Sequence, residues 1–101
     1  MMYDPLNMKK LKTMKELAPE AMAAFNALND AVFKEGALSV KVKELIAVAV
    51  AVTTQCPYCI DAHVKKAKAA GATEAELTEA TMVSAALRAG GSVTHGTHAI
   101  G

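Results

Sequence analysis

A chain of 101 residues and 10.5 kDa has room for one small domain, and residues 1–101 are read as a single unit. Area scaling gives it roughly 5,400 Å² of surface when folded against about 15,000 Å² unfolded, enough to hide one modest core. A net charge of +1 supplies no drive toward nucleic acid or an anionic membrane, so neither is expected as a partner.

Apolar residues make up 52% of the chain although Trp is absent, and much of that share is Ala, which favours helix and lets helices approach closely. With six Met and a mean hydropathy of +0.21, the apolar excess implies surface covered by another copy of the chain. A solitary monomer is not expected. The first residues, MMYDPLNMKKLKTM, lack the apolar core of a signal peptide. The longest apolar run, Leu45 to Val52, is too short to span a bilayer. The chain is therefore expected in the cytoplasm, where two cysteines point to catalysis or metal binding rather than to a structural staple.

In chain order, Lys9, Lys10, Lys12 and Lys15 read as a solvated helix face. Pro19 suits the first turn of a helix running to about Lys34, in which Met22, Phe25, Leu28 and Val32 recur every three or four positions. Gly36 follows as a stop. Ser39 is placed to cap a second helix through about Thr53. Pro57 opens a third, ended by Gly71. Thr73 with Glu76 fits a capping box at the start of a fourth, which carries Leu77, Ala80, Val83, Ala86 and Leu87. Gly90 and Gly91 interrupt or end that helix, and the tail from Ser92 is left open. So is one other segment: Val48-Ala49-Val50-Ala51-Val52 alternates in a way that suits a strand as well as a helix.

That segment runs into Cys56-Pro57-Tyr58-Cys59. With Pro57 as the first helical residue, both thiols fall where unpaired N–H groups and the helix dipole favour negative charge, which lowers a thiol pKa. Residues three apart on a helix lie roughly 5 Å apart at Cα, within disulfide range. At about 100° per residue Cys56, Cys59 and His63 share one face, and His63 stands one turn beyond Cys59, in reach of its proton. Glu44 heads the apolar run. Either Lys41 and Lys43 solvate it, or it faces the cysteine helix and orients His63. Ideal helices crossing near 50° would leave about 11 Å between the two Cα atoms, a gap for two side chains and one water.

The order Glu44, Cys56, Cys59, His63 (Glu-x11-Cys-x2-Cys-x3-His), with Ala62, Ala-Gly-Ala at 70–72 and the Glu-rich opening of the next helix, resembles the AhpD-like alkylhydroperoxidase branch of the carboxymuconolactone decarboxylase family over about residues 20 to 90. The resemblance implies an all-α domain assembling as a homotrimer or homohexamer. It also implies that Cys59 is the peroxidatic thiolate, that His63 accepts its proton, and that Glu44 completes the relay through water. Cys56 would then resolve the sulfenic acid to a disulfide, which an external dithiol or dithiol protein reduces. The substrate implied is a hydroperoxide, with no cofactor or metal. Tyr58 departs from the pattern, since members with strong peroxidase activity often carry a His between the cysteines.

Three rivals stand beside this reading. One is a glutaredoxin-like dithiol oxidoreductase, although no proline follows Pro57 to supply that fold's cis-proline. The second is a zinc-binding or sensor module using Cys56, Cys59, His63 and Glu44, with His95 and His98 in a Gly-flanked tail. The third is a scaffold whose Met8, Met14, Met22 and Met82 only fill a core or interface.

Overall fold

The computed structural model describes residues 3–101, and among them it is all-helical, with no strand. A 3-10 turn at Pro5–Lys10 leads into α1 (Leu11–Leu17), followed by α2 (Pro19–Val32), α3 (Val40–Thr54), α4 (Pro57–Ala69), α5 (Glu74–Gly96) and a closing 3-10 turn at Thr97–Ala99. The helix starts follow from local chemistry. Pro19 and Pro57 occupy first turns, where a missing N–H costs nothing. Ser39 Oγ accepts from the Val42 N–H at 3.2 Å. Thr73 and Glu76 close a complete capping box, with Thr73 Oγ1 accepting from Glu76 N–H and Glu76 Oε1 accepting from Thr73 N–H.

The open segment Val48–Val52 lies inside α3. Its sequence alternates with period two, but burial follows the helical period: Glu44, Val48 and Ala51 are the buried residues of α3, spaced by four and three along one face. Strand pairing would have given those three no common side. α3 ends at Gln55 in the left-handed region (φ 55°), a position that costs a non-glycine residue about 1–2 kcal/mol. Only Gln55 and Cys56 then separate it from α4.

α3 is the central helix, packed on α4 and on α5. The core beneath is small and made of slender side chains, Val48, Ala51, Ala67 and Ala72, which is what lets three helices sit close. Lys41 Nζ, 2.6 Å from Glu76 Oε2, ties α3 to the head of α5 and holds the Glu76 carboxyl below its usual range, with the Thr73 N–H adding to the effect. α1 and α2 pack on each other. Lys43 Nζ anchors the end of this pair by donating to the carbonyls of Val32 (2.7 Å) and Lys34.

Two sequence expectations need correction. Gly90 and Gly91 neither interrupt nor end α5, which continues to Gly96. An interior glycine costs only about 1 kcal/mol against Ala, and a helix already nucleated by a capping box extends at one hydrogen bond per residue. The expected apolar face of α2 and the outer half of that of α5 are not core either. Phe25, Leu28, Val32, Val83 and Leu87 are each at least 50% exposed. No helix among the described residues is long and apolar enough to cross a membrane.

Gly71, just past α4, has φ +96°, a conformation that L side chains avoid. Gly71→Ala is expected to destabilise the fold by about 1–2 kcal/mol. Gly90→Ala, whose added Cβ meets nothing within 4 Å, is expected to stabilise it by about 0.5–1 kcal/mol. Denaturant midpoints of the two variants check both signs.

Candidate functional site

The short turn between α3 and α4 lays the two helices against each other, with Cys56 and Cys59 at the start of α4 and Glu44, in the first half of α3, meeting His63 further along α4. Cys56 caps α4: its backbone is extended (φ −98°, ψ 98°), and its Sγ accepts from the Cys59 N–H at 3.3 Å. Both cysteines are free thiols, Cys56 half-buried and Cys59 exposed. One turn on, His63 Nδ1 meets Glu44 Oε2 at 2.6 Å. The Phe33 ring stacks on the imidazole, with centroids 5.1 Å apart and planes inclined by 21°.

The Glu44–His63 contact is direct, where the sequence suggested a gap for water. Glu44 is 3% exposed, and the alternative in which Lys41 and Lys43 solvate it is ruled out by what those lysines do: one pairs with Glu76, the other with the α2 carbonyls. A carboxylate buried so deeply needs a close partner, and the imidazole is that partner. With Nδ1 engaged, Nε2 is the nitrogen left for proton exchange. Phe33 is the residue that sequence reading missed. It lies at the end of α2, outside every motif, and only its place over the imidazole marks it.

Cys59 and His63 both line a cavity of about 280 Å³, whose other walls are Ala47, Val50, Ala51 and Thr54. Apart from Thr54 and the two site residues the lining is apolar, so a small molecule with an apolar body could reach the sulfur there.

The two thiols ionise as a pair. Cys56 is held below the ordinary thiol value, chiefly by the Cys59 thiol donating to its sulfur and then by the Cys59 N–H, with burial opposing. Cys59 is pushed above that value, first because it is the donor in this bond, then by burial and by the charge on Cys56. Both effects favour negative charge on Cys56 over Cys59. The helix N-terminus favours both positions, but the cap position receives the N–H.

Among the described residues no group of three or more His, Cys, Asp or Glu is arranged to hold a metal ion. His95 and His98 are exposed at the far end of α5 and beyond, their rings 5.7 Å apart, and take no part in this constellation.

Comparison with known proteins bears on the family and the fold. Residues 19–100 match the model of the Carboxymuconolactone decarboxylase family. A relative from Paracoccus denitrificans, described as uncharacterized protein 4 in the cox locus, is 51% identical over 77 residues, 76% of this chain and 69% of that protein. The curated relatives are longer, and the matched residues span 43% to 69% of their length. The crystal structure of an apo carboxymuconolactone decarboxylase family protein from Legionella pneumophila superposes with a TM-score of 0.75 at 39% identity, covering 79% of this chain and 71% of that one. A structure from Methanobacterium thermoautotrophicum gives 0.81 at 36% identity, covering 87% and 99%.

The mutual bond between the thiols makes opposite predictions for the two single variants. Cys59→Ala removes the donor, so the remaining Cys56 titrates at higher pH than the first step of the wild type. Cys56→Ala removes the acceptor and its charge, so the remaining Cys59 titrates at lower pH than the second step. Thiolate absorbance near 240 nm as a function of pH reads both directions.

Proposed function

This chain belongs to the carboxymuconolactone decarboxylase family, and we propose that within it the protein is a thiol-dependent hydroperoxide reductase and disulfide oxidoreductase of the AhpD-like kind. The observation that carries this reading is the direct Glu44–His63 pair, with His63 sharing the cavity of Cys59.

Cys59 is the attacking sulfur in this proposal, because it is the thiol open to the cavity. Its proton passes toward His63 Nε2 or onto the Cys56 sulfur, and Glu44 steadies the imidazole in either case. The thiolate attacks a peroxide oxygen. An S–O bond forms, the O–O bond breaks, and the departing alkoxide takes a proton to leave as alcohol. The Cys56 thiolate then displaces hydroxide from the Cys59 sulfenic acid, giving water and the Cys56–Cys59 disulfide before further oxidation sets in. An external dithiol, small or on a protein, returns the pair to thiols and is itself oxidised to a disulfide. None of these steps requires a cofactor.

The all-helical fold supports this reading over the glutaredoxin-like one, which needs a sheet beneath the cysteine helix. The buried Glu44 supports it over the scaffold reading, in which a carboxylate there would serve no end.

The same proposal includes self-association as a homotrimer or homohexamer. The folded chain exposes 7600 Å² where about 5,400 Å² is usual for its mass. Its radius of gyration of 16.7 Å exceeds the roughly 13 Å of a compact chain of this length. Ile46, Val50, Val83 and Leu87 line a groove of about 370 Å³ between α3 and α5, an apolar surface suited to a second copy.

Two measurements test these statements. Reduced protein mixed with an organic hydroperoxide is expected to lose two thiols per peroxide. Cys56→Ser should stop at a sulfenic acid on Cys59 that dimedone traps, and Cys59→Ser should consume peroxide at least about a hundredfold more slowly. Dimedone label on Cys56 in Cys59→Ser would reverse the assignment. Light scattering on a sizing column is expected to give a multiple of the chain mass, reduced in Leu87→Glu; a monomer mass for the wild type would remove the assembly.

A further inference from the structure

Tyr58, between the two cysteines, is held from far away in the chain. Its phenol oxygen accepts from the Asn7 side-chain amide at 2.9 Å and from the Asp4 N–H at 3.3 Å. The Tyr3 ring meets its ring edge-on, with centroids 4.8 Å apart. At about 100° per residue Tyr58 points away from the face that carries Cys56, Cys59 and His63. The first turn of α4 thus has its sulfurs on one side and a bound N-terminal segment on the other.

The segment is built to hold its shape. Asp4 Oδ1 accepts from the Leu6 N–H at 2.9 Å, Pro5 fixes the start of the 3-10 turn, and Asn7 N–H returns to the Asp4 carbonyl at 2.9 Å. The turn it grips gains from support, because α4 begins two residues after a left-handed Gln55 with no glycine to relax the junction.

We propose that Tyr58 is a positioning residue: through its hydroxyl the segment Tyr3–Lys10 braces the first turn of α4 and so keeps the two sulfurs at the separation from which they join. The inference needs only that Cys56 and Cys59 form a disulfide, and it stands or falls separately from peroxide reduction. The bond concerned forms when oxidised glutathione takes two electrons from the dithiol, yielding the protein disulfide and two reduced glutathiones. A braced turn raises the effective concentration of one sulfur at the other. Freeing about one residue of backbone lowers it by up to roughly tenfold.

The test is the equilibrium constant of that exchange, measured in glutathione buffers by mass spectrometry after acid quench and alkylation. Tyr58→Phe keeps the ring and its contact with Tyr3 but loses the acceptor, and it is expected to lower the constant about three- to tenfold. Asn7→Ala, on the other side of the same bond, should lower it similarly. The double variant should fall no further than either single one. Unchanged constants, additive losses, or a loss in Tyr58→Phe without one in Asn7→Ala would each overturn the proposal. Asn7 is half-buried in a turn that buries no residue fully, so its variant provides the reading even if Tyr58→Phe folds poorly. A protein that shows this pattern yet consumes no hydroperoxide would leave the brace standing and remove the peroxidase.

Discussion

The 2.6 Å contact between Glu44 and His63 is the constraint around which the site is organised. Glu44 is the buried charged residue of the described core, and removing one partner of such a pair typically costs about 3–5 kcal/mol because the other is left uncompensated. The pair therefore fixes how α3 and α4 lie against each other. It also fixes the imidazole tautomer, since the ring nitrogen facing a carboxylate carries the proton. The cysteines need no separate device to reach this centre. They sit at the cap and in the first turn of α4, one turn before His63, and Cys59 shares a cavity with that imidazole.

The rest of the chain closes around this centre from two directions. Phe33, at the end of α2, covers the imidazole, and the N-terminal turn grips Tyr58 behind the cysteines. Both contacts come from the part of the chain before α3, the N-terminal 3-10 turn and the end of α2, a part that buries no residue fully and whose apolar side chains are largely exposed. The site is thus assembled from a small rigid core of α3, α4 and α5 and from an outlying pair of helices that a single copy leaves half-covered. An arrangement of this kind makes the apolar surplus of the composition and the geometry of the thiol pair parts of one problem.

Local chemistry accounts for most of what could be read from the chain. Ser39, Pro57, Thr73 with Glu76, and Gly71 mark helix ends because caps, a missing N–H and a positive φ act within a turn. The Cys-x2-Cys-x3-His spacing places three groups on one face for the same short-range reason. One segment stayed open and one reading failed where local signals compete with longer ones. Val48–Val52 alternates like a strand, yet its burial is decided by α4 and α5. Gly90 and Gly91 suggest a stop, yet the cost of two glycines is small beside a long helix already begun.

The order of residues by itself determined the helix starts at Pro19, Ser39, Pro57 and Thr73 and put Cys56, Cys59 and His63 on one face, since each depends on neighbours a few positions away. Packing decided the rest. That Glu44 turns inward to the imidazole rather than outward to Lys41 and Lys43, and that Phe33 and Asn7 reach the site at all, depend on contacts across 11 to 51 residues of chain. Such contacts form only once helices have stacked, and no spacing rule in the sequence encodes them.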